Sequence, residues 1–158
     1  MWKRATMAVL VLALVAAACS SDDDAADTTT TTAAQATTTA APVETGTVLA
    51  DADSALGEII VDDEGFTLYV FIPDDGGEST CYDDCASAWP PLEGLAVATG
   101  SVDAALLGTS SRTNGAQQVT FNDWPLYYFA KDAAPGDVVG QGVNDVWYVI
   151  SPAGEVIR

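Results

Sequence analysis

This sequence predicts a mainly β fold: a small single domain built from two related β-hairpin repeats with short helices, following a signal peptide and a disordered tether. Three observations predict it. From about Gly46 onward, short β-favouring runs alternate with clusters of Gly, Asp, Asn and Pro. Two of those runs recur at a constant spacing along the chain. The residues before them divide into an apolar leader and a Thr/Ala/Asp stretch that offers nothing for a core.

The leader comes first. Lys3 and Arg4 precede a run of 14 small or apolar residues, Ala5 to Ala18. That is the pattern of an export signal, and it is short for a bilayer span, which needs about 20 apolar residues. The run closes on Val15-Ala16-Ala17-Ala18-Cys19, which resembles the bacterial lipoprotein signal. The resemblance implies cleavage after residue 18, lipid on Cys19 and a membrane partner reached through that lipid. Two acyl chains would hold it, at about 0.8 kcal/mol per buried CH₂. Residues 1–18 are thus assigned as signal peptide and 19–45 as lipidated Cys and tether. The 26 residues from 20 to 45 contain no aromatic residue, Leu or Ile. Fully extended they reach about 90 Å, at about 3.5 Å per residue. Their Thr runs suit O-linked sugar, as Ser/Thr-rich stalks do.

The formal net charge of the chain is −18. Lys3 and Arg4 are two of its five basic residues and no acid precedes Cys19, so the exported part sets three basic against 23 acidic groups. Nucleic acid is excluded as a partner on that balance, and the charge reads as a solvated acidic surface. There is no His, and both Met residues, Met1 and Met7, lie in the leader. Ser/His/Asp and Cys/His catalysis, His-ligated zinc or copper and His-held haem all need side chains that the exported part lacks. No cofactor is expected.

Residues 46–158 form the β-rich domain. Glu58 to Val61, the turn Asp62-Asp63-Glu64-Gly65 and Phe66 to Phe71 read as a first hairpin. A second comprises Gln117 to Phe121, Asn122-Asp123 and Trp124 to Phe129; a third, Val146 to Ile150, Ser151 to Gly154 and Glu155 to Ile157. Short helices are expected around Cys81 to Trp89 and at Val102 to Leu107, the latter with Ser101 as N-cap and Gly108 as stop.

The first two hairpins superpose at an offset of 58 residues: Val61, Leu68, Tyr69, Phe71, Asp74 and Trp89 map onto Val119, Leu126, Tyr127, Phe129, Asp132 and Trp147. This is the mark of a duplicated unit, with repeats at about 57–92 and 115–154, each too small to bury its apolar face alone.

Tyr69-Val70-Phe71-Ile72-Pro73-Asp74 and Tyr127-Tyr128-Phe129-Ala130-Lys131-Asp132 both fit Y-x-[FWY]-x-x-D. That motif, with Gly65 to Tyr69, Cys81 to Leu92, Gln118 to Phe121 and Pro125 to Tyr127, resembles a bacterial secreted-repeat lipoprotein family of unassigned function over roughly residues 56–154. The resemblance implies location and architecture and brings no substrate.

Two uses are open for the motif. In the first, Tyr69 and Phe71 share a strand face and fill the core while Asp74 accepts backbone N–H groups or a Tyr hydroxyl; Tyr127, Phe129 and Asp132 do the same in the second repeat. In the other, Asp74 and Asp132 converge on a hard cation such as Ca²⁺. No Asp cluster fits the twelve-residue calcium loop; Asp51-Ala52-Asp53-Ser54 starts like one and then reaches Leu56.

Cys81 and Cys85 remain as an even pair in an oxidising compartment, so a disulfide is expected. The other use is a redox dithiol, against which stand the C-x-x-x-C spacing and the acids between the thiols, Asp83 and Asp84. The leading expectation is an extracytoplasmic, lipid-anchored, non-enzymatic binding or scaffold module that meets an unknown surface protein or wall partner. Trp89, Trp124, Trp147 and the neighbouring Tyr residues are its candidate contact groups. The alternatives are a thiol-disulfide or electron-transfer accessory using Cys81 and Cys85, and a calcium-stabilised binding module.

Overall fold

A computed structural model describes residues 46–158. The expected signal peptide, Cys19 and tether lie outside the described residues. The described chain is mostly β, with few and short helices.

Strands β1 (Thr47–Ser54) and β2 (Gly57–Val61) form an antiparallel pair running from Ala50↔Val61 to Ser54↔Gly57. The turn between them needs Gly57, whose φ is +103°. The segment Asp51 to Ser54, which starts like a calcium loop, is the second half of β1. Asp51 instead caps a distant turn, accepting the Ser101 N–H at 2.6 Å. That bond, the largest influence on it, holds the Asp51 carboxyl below its ordinary value.

The first expected hairpin is only partly formed. Its turn closes through Asp62, whose side chain accepts the N–H groups of Glu64 and Phe66, and Val61 bridges Thr67. Strand β3 (Tyr69–Phe71) then leaves β2 and pairs with a strand of the second repeat. After β3 come a 3-10 turn (Ile72–Asp74), helix α1 (Asp84–Ala88) and strand β4 (Ala96–Ala98), which lies parallel to β1. The α1 segment agrees with the helix expected there.

The second expected helix is corrected. Only Ala104–Leu106 turns, as a 3-10 segment, and its cap is Asp103, which accepts the Ala105 N–H at 2.9 Å, rather than Ser101. Gly108 does not end a helix; it lies within strand β5 (Leu107–Ser111). The reason is pairing: Leu107 to Ser111 lie opposite Phe121 to Gln117 on β6 (Gln117–Phe121), and a ladder of that length outweighs weak local helix propensity.

The third hairpin forms as expected, and the second forms at its turn only, because from Tyr127 the chain leaves β6 and pairs with the first repeat instead of continuing a strand to Phe129. Asn122 and Asp123 both take positive φ, 48° and 64°, in the two-residue turn between β6 and β7 (Trp124–Pro125). Strand β8 (Trp147–Ile150) pairs with β9 (Val156–Ile157), and a 3-10 turn at Val143–Asp145 precedes it. Three three-stranded sheets result, in the orders β2-β1-β4, β3-β8-β9 and β5-β6-β7.

The repeats exchange strands. Tyr69 and Tyr127 face each other in an antiparallel bridge, with Tyr69 N–H donating to Tyr127 O at 2.8 Å and Tyr127 N–H to Tyr69 O at 3.0 Å. On one side of this bridge β3 of the first repeat pairs with β8 of the second. On the other, Tyr128 and Ala130 of the second repeat donate to the carbonyls of Pro90 and Ala88 in the first. Ile72 N–H to Val146 O repeats the Ala130 to Ala88 bond at the 58-residue offset. The local pseudo-twofold therefore passes between Tyr69 and Tyr127. One core cluster gathers Leu49, Ile60, Leu68, Val119, Phe121 and Leu126; the other is aromatic and holds the motif.

Candidate functional site

The motif sits in the aromatic cluster, and its polar groups are crossed between repeats. Tyr69 Oη donates to Asp132 Oδ2 at 2.7 Å, and Tyr127 Oη donates to Asp74 Oδ2 at 2.5 Å. Each carboxylate also holds the loop that follows its own strand. Asp74 Oδ1 accepts the N–H and hydroxyl of Thr80 at 2.7 and 2.6 Å, and Asp132 Oδ1 accepts the Val139 N–H at 3.0 Å. The phenol oxygens have second neighbours: Gly140 N–H donates to Tyr69 Oη at 3.2 Å, and Ser79 Oγ lies 2.8 Å from Tyr127 Oη. Burial, and after it the bond to the facing carboxylate, pushes both phenols well above their ordinary value. Burial also raises the Asp132 carboxyl, against the opposing effect of its bonds from Tyr69 and Val139.

Four rings stack through the centre in the order Phe71, Trp147, Trp89, Phe129. Their centroid separations are 4.3, 3.8 and 4.1 Å, and the two indoles are within 3° of parallel. Tyr69 meets Trp89 edge-on at 5.4 Å and Tyr127 meets Trp147 edge-on at 5.2 Å. Each such aromatic pair contributes about 0.5–1.5 kcal/mol beyond its area burial. Both Phe–Trp stacks join one repeat to the other. Gly140 closes over this cluster: a Cβ there would stand 2.8 Å from the rings of Trp89 and Tyr69.

Of the aromatic contact groups considered from sequence, Trp89 and Trp147 are therefore interior, 4% and 2% exposed, and Trp124 packs against the aliphatic core. Asp74 and Asp132 each face a Tyr hydroxyl and the donors of a loop, and Asp137 is the acid nearest in effect to Asp132. Among the described residues no group of three or more His, Cys, Asp or Glu could hold a metal ion.

Cys81 and Cys85 form the disulfide, with Cα atoms 5.3 Å apart. Their counterparts at the 58-residue offset are Val139 and Val143, so the bridge occupies the position of an apolar pair in the other repeat.

One central residue was missed from sequence. Arg112, 5% exposed, donates to Ser79 Oγ at 2.8 Å, Gln118 Oε1 at 2.5 Å and the Cys81 carbonyl at 2.7 Å. The guanidinium also lies 4.5 Å from the Tyr82 ring centroid, while its acidic neighbour, the half-exposed Glu93, stands 4.0 Å away. Neutral oxygens thus satisfy most of this buried cation's donors. A chain of polar contacts runs Asp74, Tyr127, Ser79, Arg112, Gln118, tying the first motif Asp to the disulfide loop and to β6. The available signal was a lone cation between the acidic repeats, beside the turn residues Asn114-Gly115.

A groove of about 580 Å³ lies elsewhere, lined by Glu58, Asp103, Glu155 and the Ser151 to Ala153 turn, and no motif residue reaches it.

A family model described as a secreted repeat of unknown function matches residues 45–93 and 108–151. Neither a search of curated proteins nor one of solved structures finds a match.

Proposed function

The chain belongs to this family of secreted repeats of unknown function, and from that premise we propose that it is a non-enzymatic binding or scaffold module held at the outer face of the cell membrane by lipid on Cys19. The observation that carries the reading is the use of the motif. Its two hydroxyls and two carboxylates are occupied by one another and by backbone N–H groups, and its rings lie in the four-ring stack (Phe71, Phe129) or edge-on against it (Tyr69, Tyr127). Groups so engaged hold a shape; they are not poised to move protons to a substrate. The surface that remains is acidic, as suits a domain that meets its partner outside the cell.

Two experiments test this. Cys19→Ser should move the protein from the membrane fraction to the medium of intact cells, and retention in the membrane would overturn the anchor. Photo-reactive residues placed one at a time around the surface, including position 139, should give a discrete cross-linked adduct on intact cells from at least one position. No adduct from any position would overturn the binding role.

A further inference from the structure

After Cys19 the chain has no Met and no His, and its two remaining cysteines are tied in the bridge. The groups that ordinarily end an oxidation by taking up oxygen, a thioether or a free thiol, are therefore missing. What is left to give up a single electron is five Tyr and, with Trp2 of the leader set aside, three Trp. Tyr69, Tyr127, Trp89 and Trp147 lie together in the buried aromatic cluster. Trp124, Tyr128 and Tyr148 pack on the aliphatic core instead, and Tyr82 lies against Arg112.

The indoles of Trp89 and Trp147 face each other with centroids 3.8 Å apart and planes within 3°. Carbon contacts are optimal at about 3.5–4.0 Å, so the two rings overlap with little offset. Ring quadrupoles disfavour that arrangement in a neutral pair, whereas an electron vacancy is shared best by it, because the two π systems overlap over their whole area. A Tyr stands edge-on against each indole, Tyr69 on Trp89 at 5.4 Å and Tyr127 on Trp147 at 5.2 Å. Burial pushes both phenols above their ordinary value, so each is protonated at neutral pH and loses an electron readily only where a base takes its proton at the same time. Each has such a base: Asp132 Oδ2 at 2.7 Å from Tyr69 Oη, and Asp74 Oδ2 at 2.5 Å from Tyr127 Oη.

We propose that the cluster is a radical sink, in which one oxidising equivalent taken up at the Trp89–Trp147 pair comes to rest as a neutral tyrosyl radical at Tyr69 or Tyr127, with the phenolic proton held by Asp132 or Asp74. Its co-reactants are a one-electron radical oxidant met outside the cell and a thiol. The oxidant takes one electron from the indole pair and is itself reduced. An electron then passes from Tyr127 to the indole cation while its O–H proton crosses to Asp74 Oδ2, which leaves neutral indoles, a tyrosyl radical and a carboxylic acid. A thiolate returns one electron and becomes a thiyl radical, and the proton goes back from Asp74 to the phenol oxygen. The pseudo-twofold offers Tyr69 and Asp132 as a second, equivalent terminus. Both phenols are 0% exposed, so the radical is shielded from coupling to another chain. No substrate is bound and the proton moves only across a hydrogen bond already made, so this role adds to the scaffold reading and does not rest on it.

The test uses the secreted chain carrying Cys19→Ser. Pulse radiolysis in azide solution generates the azide radical, which removes one electron from an indole, and transient absorption follows the tryptophanyl signal as it passes to tyrosyl. That passage should be first order, independent of protein concentration and slower in D₂O. Tyr69→Phe with Tyr127→Phe should abolish it even though Tyr82, Tyr128 and Tyr148 remain. Asp74→Asn in the Tyr69→Phe background should slow it about a hundredfold, the lower end of what a positioned proton acceptor contributes. Circular dichroism shows beforehand that each variant is folded, and the wild type supplies a check that needs no variant. Its freeze-quenched radical should show, by electron–nuclear double resonance, an exchangeable proton at the tyrosyl oxygen, and glutathione should return the chain at its original mass. A tyrosyl radical without that proton, a passage unchanged in the double Tyr variant, or oxygen added to Trp89 or Trp147 in the presence of glutathione would each overturn the proposal. The surface cross-linking result is independent of all three, so their failure leaves the binding role standing.

Discussion

Tyr69 of the first repeat donates a hydrogen bond from its hydroxyl to Asp132 of the second, and Tyr127, related to it by the pseudo-twofold, donates to Asp74 of the first. The motif that defines each repeat is thus completed by the other. Each Asp clamps its own following loop with one oxygen and the partner repeat's Tyr with the other, so the hydrogen bonds that shape a loop also join the halves.

The two crossed bonds differ in burial, and their removal should differ accordingly. Asp74 is 1% exposed, so Tyr127→Phe leaves a buried carboxylate short of a donor and should cost about 1.5–3 kcal/mol in urea unfolding. Asp132 is partly exposed and water can replace the phenol, so Tyr69→Phe should cost about 1 kcal/mol. In double-mutant cycles with Asp→Asn, the crossed pairs Tyr127/Asp74 and Tyr69/Asp132 should show the larger coupling. Greater coupling within a repeat would contradict the exchange.

Alkaline pH should unfold the domain through its phenols. Burial, with a carboxylate nearby, raises Tyr69, Tyr127 and Tyr128 above 10.0 in the folded chain, so the unfolded chain loses those protons first. Stability is then intact below about pH 10 and falls as pH rises toward the folded values. Phenolate absorbance from these three should appear only together with loss of tertiary circular dichroism. Asp132 acts with the same sign at lower pH: its carboxyl is raised by burial, so its contribution is complete below 3.8 and is lost as pH rises through the folded value. The stability of the wild type relative to Asp132→Asn should decline across that window.

Arg112 should matter more than the bridge beside it. Closing a five-residue loop stabilises by about 2 kcal/mol on the chain-entropy estimate, so Cys81→Ala with Cys85→Ala should cost no more than that. Arg112→Ala strands Ser79, Gln118 and the Cys81 carbonyl together and should cost about 3 kcal/mol or more. Arg112→Lys should recover little, because an ammonium cannot span three oxygens and lie against Tyr82 as the planar fork does. Thermal melts of the three variants check the order.

Neither repeat should fold alone. Cleaving the exposed Thr99 to Ser101 turn separates Tyr69 from Asp132 and both Phe–Trp stacks into different fragments. Each fragment should be unfolded by circular dichroism, and an equimolar mixture should regain the native spectrum with a melting temperature that rises with concentration. A folded single fragment would show that the exchange is dispensable.

What the sequence by itself determined lies close to the backbone. Asn122-Asp123 announced a tight hairpin because few residues take positive φ, the 58-residue offset announced a duplication, and aromatic residues two apart announced buried strand faces. The Cys81–Cys85 bridge was legible from the even pair of cysteines and the compartment. Strands β1 and β5 were not, because Asp51, Asp53 and the Gly108-Thr109-Ser110 run carry weak local preference and take their conformation from the strands beside them. Nor was the burial of Arg112, which depends on oxygens brought from three separate segments. Only the tertiary structure decided which Asp serves which Tyr. In a duplicated chain the bond within a repeat and the bond between repeats have identical local chemistry, and the choice falls to packing: the Phe71, Trp147, Trp89, Phe129 stack can close only when each repeat lends a strand to the other.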